Sequence, residues 1–193
     1  MDAPRTIVIG VGTELRGDDG FGAAVIESLR DQPGLGGRVQ LARCDGEPSR
    51  MIDLWDGYER AFVVDSARGG TERYGFLYRR DLVAGSAAEA ALRELREPGG
   101  NSHAVGLGAA VRLAEVLGRL PGRIVLYAVH GRDFGFGAAL SQPVAIAVPE
   151  LAARIGREIF AGVFPGPGRA QGPRPQPTSA SAKQGTFRGS LNP

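Results

Sequence analysis

Five side chains in this sequence stand out as able to do chemistry: Asp18, Asp19, Asp65, His103 and His130. Asp18 and Asp19 sit in the loop Gly10-Val-Gly-Thr-Glu-Leu-Arg-Gly-Asp-Asp-Gly-Phe-Gly22, between a β-branched run and a helical pattern. Acids at a helix start are favoured by the helix dipole and by capping, at about 1 kcal/mol. Two of them exceed what one cap needs, and their mutual repulsion invites a cation. Asp65 closes the apolar run Ala61-Phe-Val-Val-Asp65, and His103 precedes a helical pattern after Gly99-Gly-Asn-Ser102. Two carboxylates and an imidazole from three separate segments make an open N/O site for a divalent transition metal. Its vacant positions suit a substrate-borne ligand better than a permanent structural ion. Taken singly, each acid reads equally well as a turn or cap residue, and a lone loop histidine is more often a solvated side chain.

Other chemistries fit less well. The spacing Gly10, Gly12, Gly17 departs from the dinucleotide fingerprint G-x-G-x-x-G, and two acids occupy the place where a pyrophosphate needs a bare helix N-terminus. Ser66 lacks the G-x-S-x-G elbow of a serine hydrolase. Cys44 has no histidine near it in sequence and reads as a small buried hydrophobe, and Glu14 reads as an exposed loop acid. A nucleotide-binding α/β protein, with Asp45 or Glu47 on a ribose, stays open as an alternative. So does a non-catalytic protein that recognises a metallated partner through the same rim.

The elements that must position these residues follow from hydrophobic pattern. Short apolar runs at 6–10, 39–42, 61–65 and 123–129 read as strands, and an alternating segment at 74–78 as an edge strand. Helical spacing marks 21–29, 51–55 (with Trp55 packing onto the sheet), 86–96 and 104–117. A closing helix spans 143–160, with Pro143 in its first turn and Pro149 inside it, where a kink or a delayed start is expected. Strands alternating with helices predict a three-layer α/β/α sandwich on a mostly parallel, mixed sheet of about five strands. In such sheets ligands sit outside the carboxyl ends of the strands. The ends of the first, third and fifth strands carry Asp18–Asp19, Asp65 and His130.

The chain has 193 residues, 42% hydrophobic and 23% charged, which suits one globular domain and excludes full-length disorder. The segment 165–193 holds four of the 23 basic residues, none of the 21 acidic ones and six of the thirteen prolines. It reads as a disordered Pro/Gly/Ser-rich basic tail, unable to bury enough apolar surface to order itself. What remains, 1–164, carries 19 basic against 21 acidic residues, a net charge of −2. A mildly acidic body has no basic face for phosphates, so nucleic acid is not an expected partner. No apolar run long enough to span a bilayer occurs, and no signal-peptide pattern opens the sequence, so membrane insertion is not expected and the cytoplasm is the expected compartment.

In combination and order, these motifs resemble the hydrogenase maturation endopeptidases over most of 1–160. The resemblance rests on Val8-Ile-Gly-Val-Gly12 leading to Gly17-Asp-Asp-Gly-Phe-Gly22, on Val63-Val-Asp-Ser-Ala67 and on Ser102-His-Ala-Val-Gly-Leu107. Phe134-Gly-Phe-Gly137 and Leu140-Ser141 complete it. It implies an endopeptidase that removes a C-terminal extension from the large-subunit precursor of nickel-iron hydrogenase after nickel insertion. It also implies that Asp19, Asp65 and His103 are at once the catalytic and the metal-contacting residues, with Asp18 shaping the loop. The nickel would arrive within the precursor, and no tightly bound resident metal is expected. The sequence differs from the family pattern at Thr13, where asparagine is usual, at Asp45-Gly-Glu-Pro-Ser49, where Gly-Gly-Thr is common, and at His130, where an acid is frequent.

Overall fold

A computed structural model describes residues 5–68, 74–82 and 102–161, with side chains in the last stretch described from Gly106 onward. The first strand, β1 (Thr6–Val11), is a β-branched run whose last five residues are all buried. A 3₁₀ turn (Gly17–Gly20) leads into α1 (Phe21–Arg30), followed by β2 (Gln40–Cys44) and α2 (Pro48–Trp55). Then come β3 (Arg60–Arg68), β4 (Leu77–Leu82), α3 (Ser102–Leu117), β5 (Arg123–Gly131) and α4 (Gln142–Ala161).

The five strands form one sheet in the order β2-β1-β3-β5-β4. Four run parallel and β4 lies antiparallel to β5 at one edge. Side chains alternate between the two faces of each strand, and the core divides accordingly. Ile7, Ile9, Ala61, Val63, Ile124 and Leu126 pack with Met51, Trp55, Leu107 and Ala110 of α2 and α3. Val8, Phe62, Val64, Val125 and Tyr127 pack with Phe21, Ile26, Leu151 and Ile155 of α1 and α4. This is the expected three-layer α/β/α sandwich on a mixed five-stranded sheet.

Several boundaries differ from the sequence reading. The edge strand starts at Leu77 rather than at Tyr74, because Tyr74 and Gly75 form a turn in which Gly75 has φ of 81°. A Cβ on Gly75 would lie 2.5 Å from the carbonyl oxygen of Pro143, so the turn seats directly on the start of α4. The closing helix begins on time at Gln142 and runs through Pro149. Helix α2 starts three residues earlier than expected. Pro48 occupies its first turn, and the Glu47 carboxylate accepts the backbone N–H groups of Ser49 and Arg50 at 3.1 and 2.9 Å. The helix expected at 86–96 and the tail at 165–193 lie outside the described residues.

Candidate active site

The strand order reverses direction at β1: the chain passes to β2 on one side, then crosses to β3 on the other. The carboxyl ends of β1 and β3 therefore flank the switch point, where α/β sheets form their binding crevice. Pairing between these strands ends at Gly10 with Val64, whereas β3 and β5 stay paired as far as Arg68 with Gly131. Asp65 is the first β3 residue past that last β1 pairing. It does not end its strand, as the sequence reading had it, because β5 carries β3 three residues further. Strand alternation puts Asp65 on the face of Ala61 and Val63, the side covered by α2 and α3. Asp65 is 6% exposed, and its carboxylate accepts the Ser66 N–H at 2.7 Å.

The loop after β1 is shaped by close backbone approaches. A Cβ on Gly10 would lie 2.4 Å from the Gly22 carbonyl oxygen, and one on Gly22 would lie 2.5 Å from that of Val11. Only a glycine pair lets α1 cross the end of β1 so closely. Gly12, with φ of 123°, turns the chain so that the Thr13 N–H donates to the Asp19 carboxylate at 2.9 Å. This contact uses the main chain of Thr13, so a threonine side chain in that place leaves it intact. Asp19 is 3% exposed, at the β1 side of the crevice.

Asp18 reads from the residue pattern as a cap and from the resemblance as a residue that shapes the loop; the structure ties it to a distant loop. It is fully buried, and the N-cap position of α1 is taken by Gly20, which has no side chain to cap with. The Asp18 carboxylate instead accepts the N–H groups of Arg132 and Asp133 at 2.6 and 2.9 Å, and both the N–H and the hydroxyl of Ser141 at 2.6 and 2.8 Å. It ties the β1–α1 loop to the β5–α4 loop. Backbone bonds from Asp18 N–H to the Asp133 carbonyl, 2.7 Å, and from Gly137 N–H to that of Leu15, 2.7 Å, reinforce the junction. With Asp18 bound in this way, the adjacent acids divide into one brace between loops and one carboxylate that accepts the Thr13 N–H.

His103 is the second residue of α3, inside the helix rather than just before it, and its side chain lies outside the described residues. The first turns of α3 nevertheless sit at the same rim, since a Cβ on Gly106 would lie 2.4 Å from the carbonyl oxygen of Gly46, just past β2. Among the described residues no three His, Cys, Asp or Glu side chains are grouped so as to hold a metal ion. Asp19 and Asp65 are the two expected ligands whose side chains are described. His130 lies at the expected strand end, half-buried, with its Nδ1 3.4 Å from the Tyr78 hydroxyl. An open groove of about 290 Å³ runs along the outer side of the β1–α1 loop, lined by Glu14, Gly20, Ala24, Glu27, Arg43 and Leu140. Glu14 is the exposed loop acid expected of it, and there Arg43 pairs with both Glu14 and Glu27.

No family model and no curated protein matches this chain in sequence. Solved structures do. Hydrogenase maturating endopeptidase HybD from E. coli superposes with a TM-score of 0.68 at 16% identity, covering 82% of this chain and 94% of that one. The hydrogenase 2 maturation peptidase of a Thaumarchaeota archaeon superposes with a TM-score of 0.58 at 26% identity, covering 80% and 97%. The NiFe hydrogenase maturation protease HybD of Thermococcus kodakarensis gives 0.57 at 22% identity, covering 80% and 98%. The fold is that of the hydrogenase maturation endopeptidases.

In this maturation-endopeptidase fold the nucleotide alternative loses its footing. Glu47 is occupied as the cap of α2 and Asp45 pairs with Arg50, so neither is set to hold a ribose. The turn ahead of α1 carries two buried carboxylates, which would repel a pyrophosphate. Cys44 is buried, and burial pushes its thiol pKa up, away from the thiolate a nucleophile needs. Ser66 is buried within β3. The described residues contain no helix long and apolar enough to cross a membrane.

Proposed function

We propose that this protein is an endopeptidase that removes the C-terminal extension of a nickel-iron hydrogenase large-subunit precursor once nickel has been inserted. The observation that carries the reading is the pair of buried carboxylates, Asp19 and Asp65, on either side of the β1–β3 switch point. The likeness to peptidases of hydrogenase maturation supports it. In this proposal Asp19, Asp65 and His103 approach the nickel held in the precursor and so fix the scissile bond beside them. A carboxylate is then positioned to take a proton from water, and the nickel to polarise the peptide carbonyl. Water adds to that carbonyl carbon, the C–N bond breaks, and the proton passes to the leaving amine. Aspartates thus serve as the acid–base groups, and the metal belongs to the substrate. The lone cysteine, kept as a thiol, suits a reducing compartment, and we place the reaction in the cytoplasm.

The test is incubation of the purified protein with a nickel-loaded large-subunit precursor, read by intact mass. The expected product is a precursor shortened at its C-terminus together with the released peptide. An uncut precursor that nevertheless binds the protein would replace the peptidase reading with a recognition role.

A further inference from the structure

The chain's other histidine has no part in the reaction above. We propose that His130 contacts the substrate peptide beside the cleavage site and that Tyr78 holds its ring in position, an inference that rests on the peptidase reading. Asp65 is in register with Ala128 on β5, and His130 stands two residues further along that strand, level with Ala67. Alternation puts Asp65, Ala67, Ala128 and His130 on one face of the sheet, the face of α2 and α3. With strands about 4.8 Å apart and about 3.3 Å per residue, the Cα atoms of Asp65 and His130 are about 8 Å apart. Asp19, Asp65 and His130 thus follow one another across the ends of β1, β3 and β5. An extended peptide lying over Asp65 reaches His130 within about two or three residues.

The imidazole rests against Tyr78, and backbone hydrogen bonds to the turn before β4 fix the strand that carries it. Tyr78 of β4 is also in register with Ala128, and its ring lies 4.3 Å from that of His130, centroid to centroid, at 41°. Its hydroxyl is 3.4 Å from Nδ1, and Phe76 meets the Tyr78 ring edge-on at 4.9 Å. The His130 N–H donates to the Phe76 carbonyl at 3.0 Å, while the His130 carbonyl accepts the Gly75 N–H at 2.8 Å. A polar ring fixed in this way at the carboxyl end of β5 is preorganised for a hydrogen bond to a ligand. Packing alone would be served by an apolar side chain.

The experiment is steady-state cleavage of nickel-loaded precursor by the wild type, His130→Ala, His130→Gln, Tyr78→Phe and the double variant His130→Ala/Tyr78→Phe, with folding checked by thermal melts. Losing one hydrogen bond made equally in ground and transition states should raise KM about tenfold in His130→Ala and leave kcat within about threefold. His130→Gln should recover part of the loss. Tyr78→Phe should raise KM less, and add nothing in the His130→Ala background if the tyrosine acts through the histidine. Wild-type KM in a folded His130→Ala protein would overturn the contact, as would equal losses in kcat and kcat/KM. An additive Tyr78→Phe effect would overturn the positioning role. If wild-type protein itself leaves the precursor uncut, the peptidase reading falls and takes this inference with it.

Discussion

Asp18 and Ser141, 123 positions apart in sequence, are joined twice: the Asp18 carboxylate accepts both the backbone N–H of Ser141 at 2.6 Å and its hydroxyl at 2.8 Å. Together with the N–H groups of Arg132 and Asp133, this makes one buried carboxylate the anchor of both loops beside the crevice. Truncating it strands several donors away from water. Asp18→Ala should therefore lower stability by about 3 kcal/mol, and Asp18→Asn by about 2, since an amide N–H₂ would face donors where an oxygen now accepts. Denaturant unfolding measures both. A loss below about 0.5 kcal/mol for Asp18→Ala would show that the loops hold without it.

Asp19, Asp65 and His103 should behave in the opposite way. Asp19→Ala, Asp65→Ala and His103→Ala should each abolish precursor processing while changing stability by only about 1 kcal/mol, because rim groups serve chemistry more than the core. Gel or mass analysis of the precursor gives the first quantity and thermal melting the second. Normal processing by any one of the three removes that residue from the site.

A polar network on the far side of the sheet contributes to how the fold responds to alkaline pH. Burial, with the Glu158 carboxylate as hydrogen-bond partner, pushes the Tyr127 hydroxyl up to about 12 from its ordinary 10.0. A phenol whose folded pKa is raised contributes stability that is whole below the unfolded value and is lost as pH rises towards the folded one. Wild-type stability should fall by on the order of 2 kcal/mol between about pH 10 and about pH 12 through this group. Tyr127→Phe should lack that component. Identical alkaline profiles for the two proteins would contradict the assignment.

Truncation after Phe164 should leave stability and cleavage unchanged, because the removed residues are rich in Pro, Gly and Ser and nearly empty of large apolar side chains. A truncated protein that melts earlier would mean that Phe187 or Leu191 docks on the body. Circular dichroism melts of the two lengths decide it.

The sequence carried the architecture well where a signal was local. The β-branched run of β1, the apolar centre of β3 and the amphipathic α1 and α4 all formed where their patterns placed them. Errors and open readings arose where the deciding partner is distant. Nothing near Asp18 announces donors 114 to 123 residues away, so the residue pattern alone leaves a cap as open as the loop-shaping role that the resemblance implies. Asp65 seemed to end a strand because the apolar run stops there, yet pairing with β5 extends β3 to Arg68. The start of α2 was legible in hindsight, since Glu47-Pro48 is an acid followed by proline at a first helical position. The relation of His130 to Asp65 and Tyr78 needed the strand register, which no single segment contains.

The most direct test compares processing of nickel-loaded and nickel-free precursor by metal-stripped protein. Two carboxylates and one imidazole, with no thiolate, make a weak open site, whereas thiolates of the precursor would hold the ion firmly. Efficient cleavage of the nickel-loaded form and little or none of the nickel-free form is expected, from a protein that purifies without stoichiometric metal. Equal cleavage of the two forms would contradict the reading of nickel in the substrate, and tightly bound zinc in the purified protein would assign the hydrolysis to a resident metal instead.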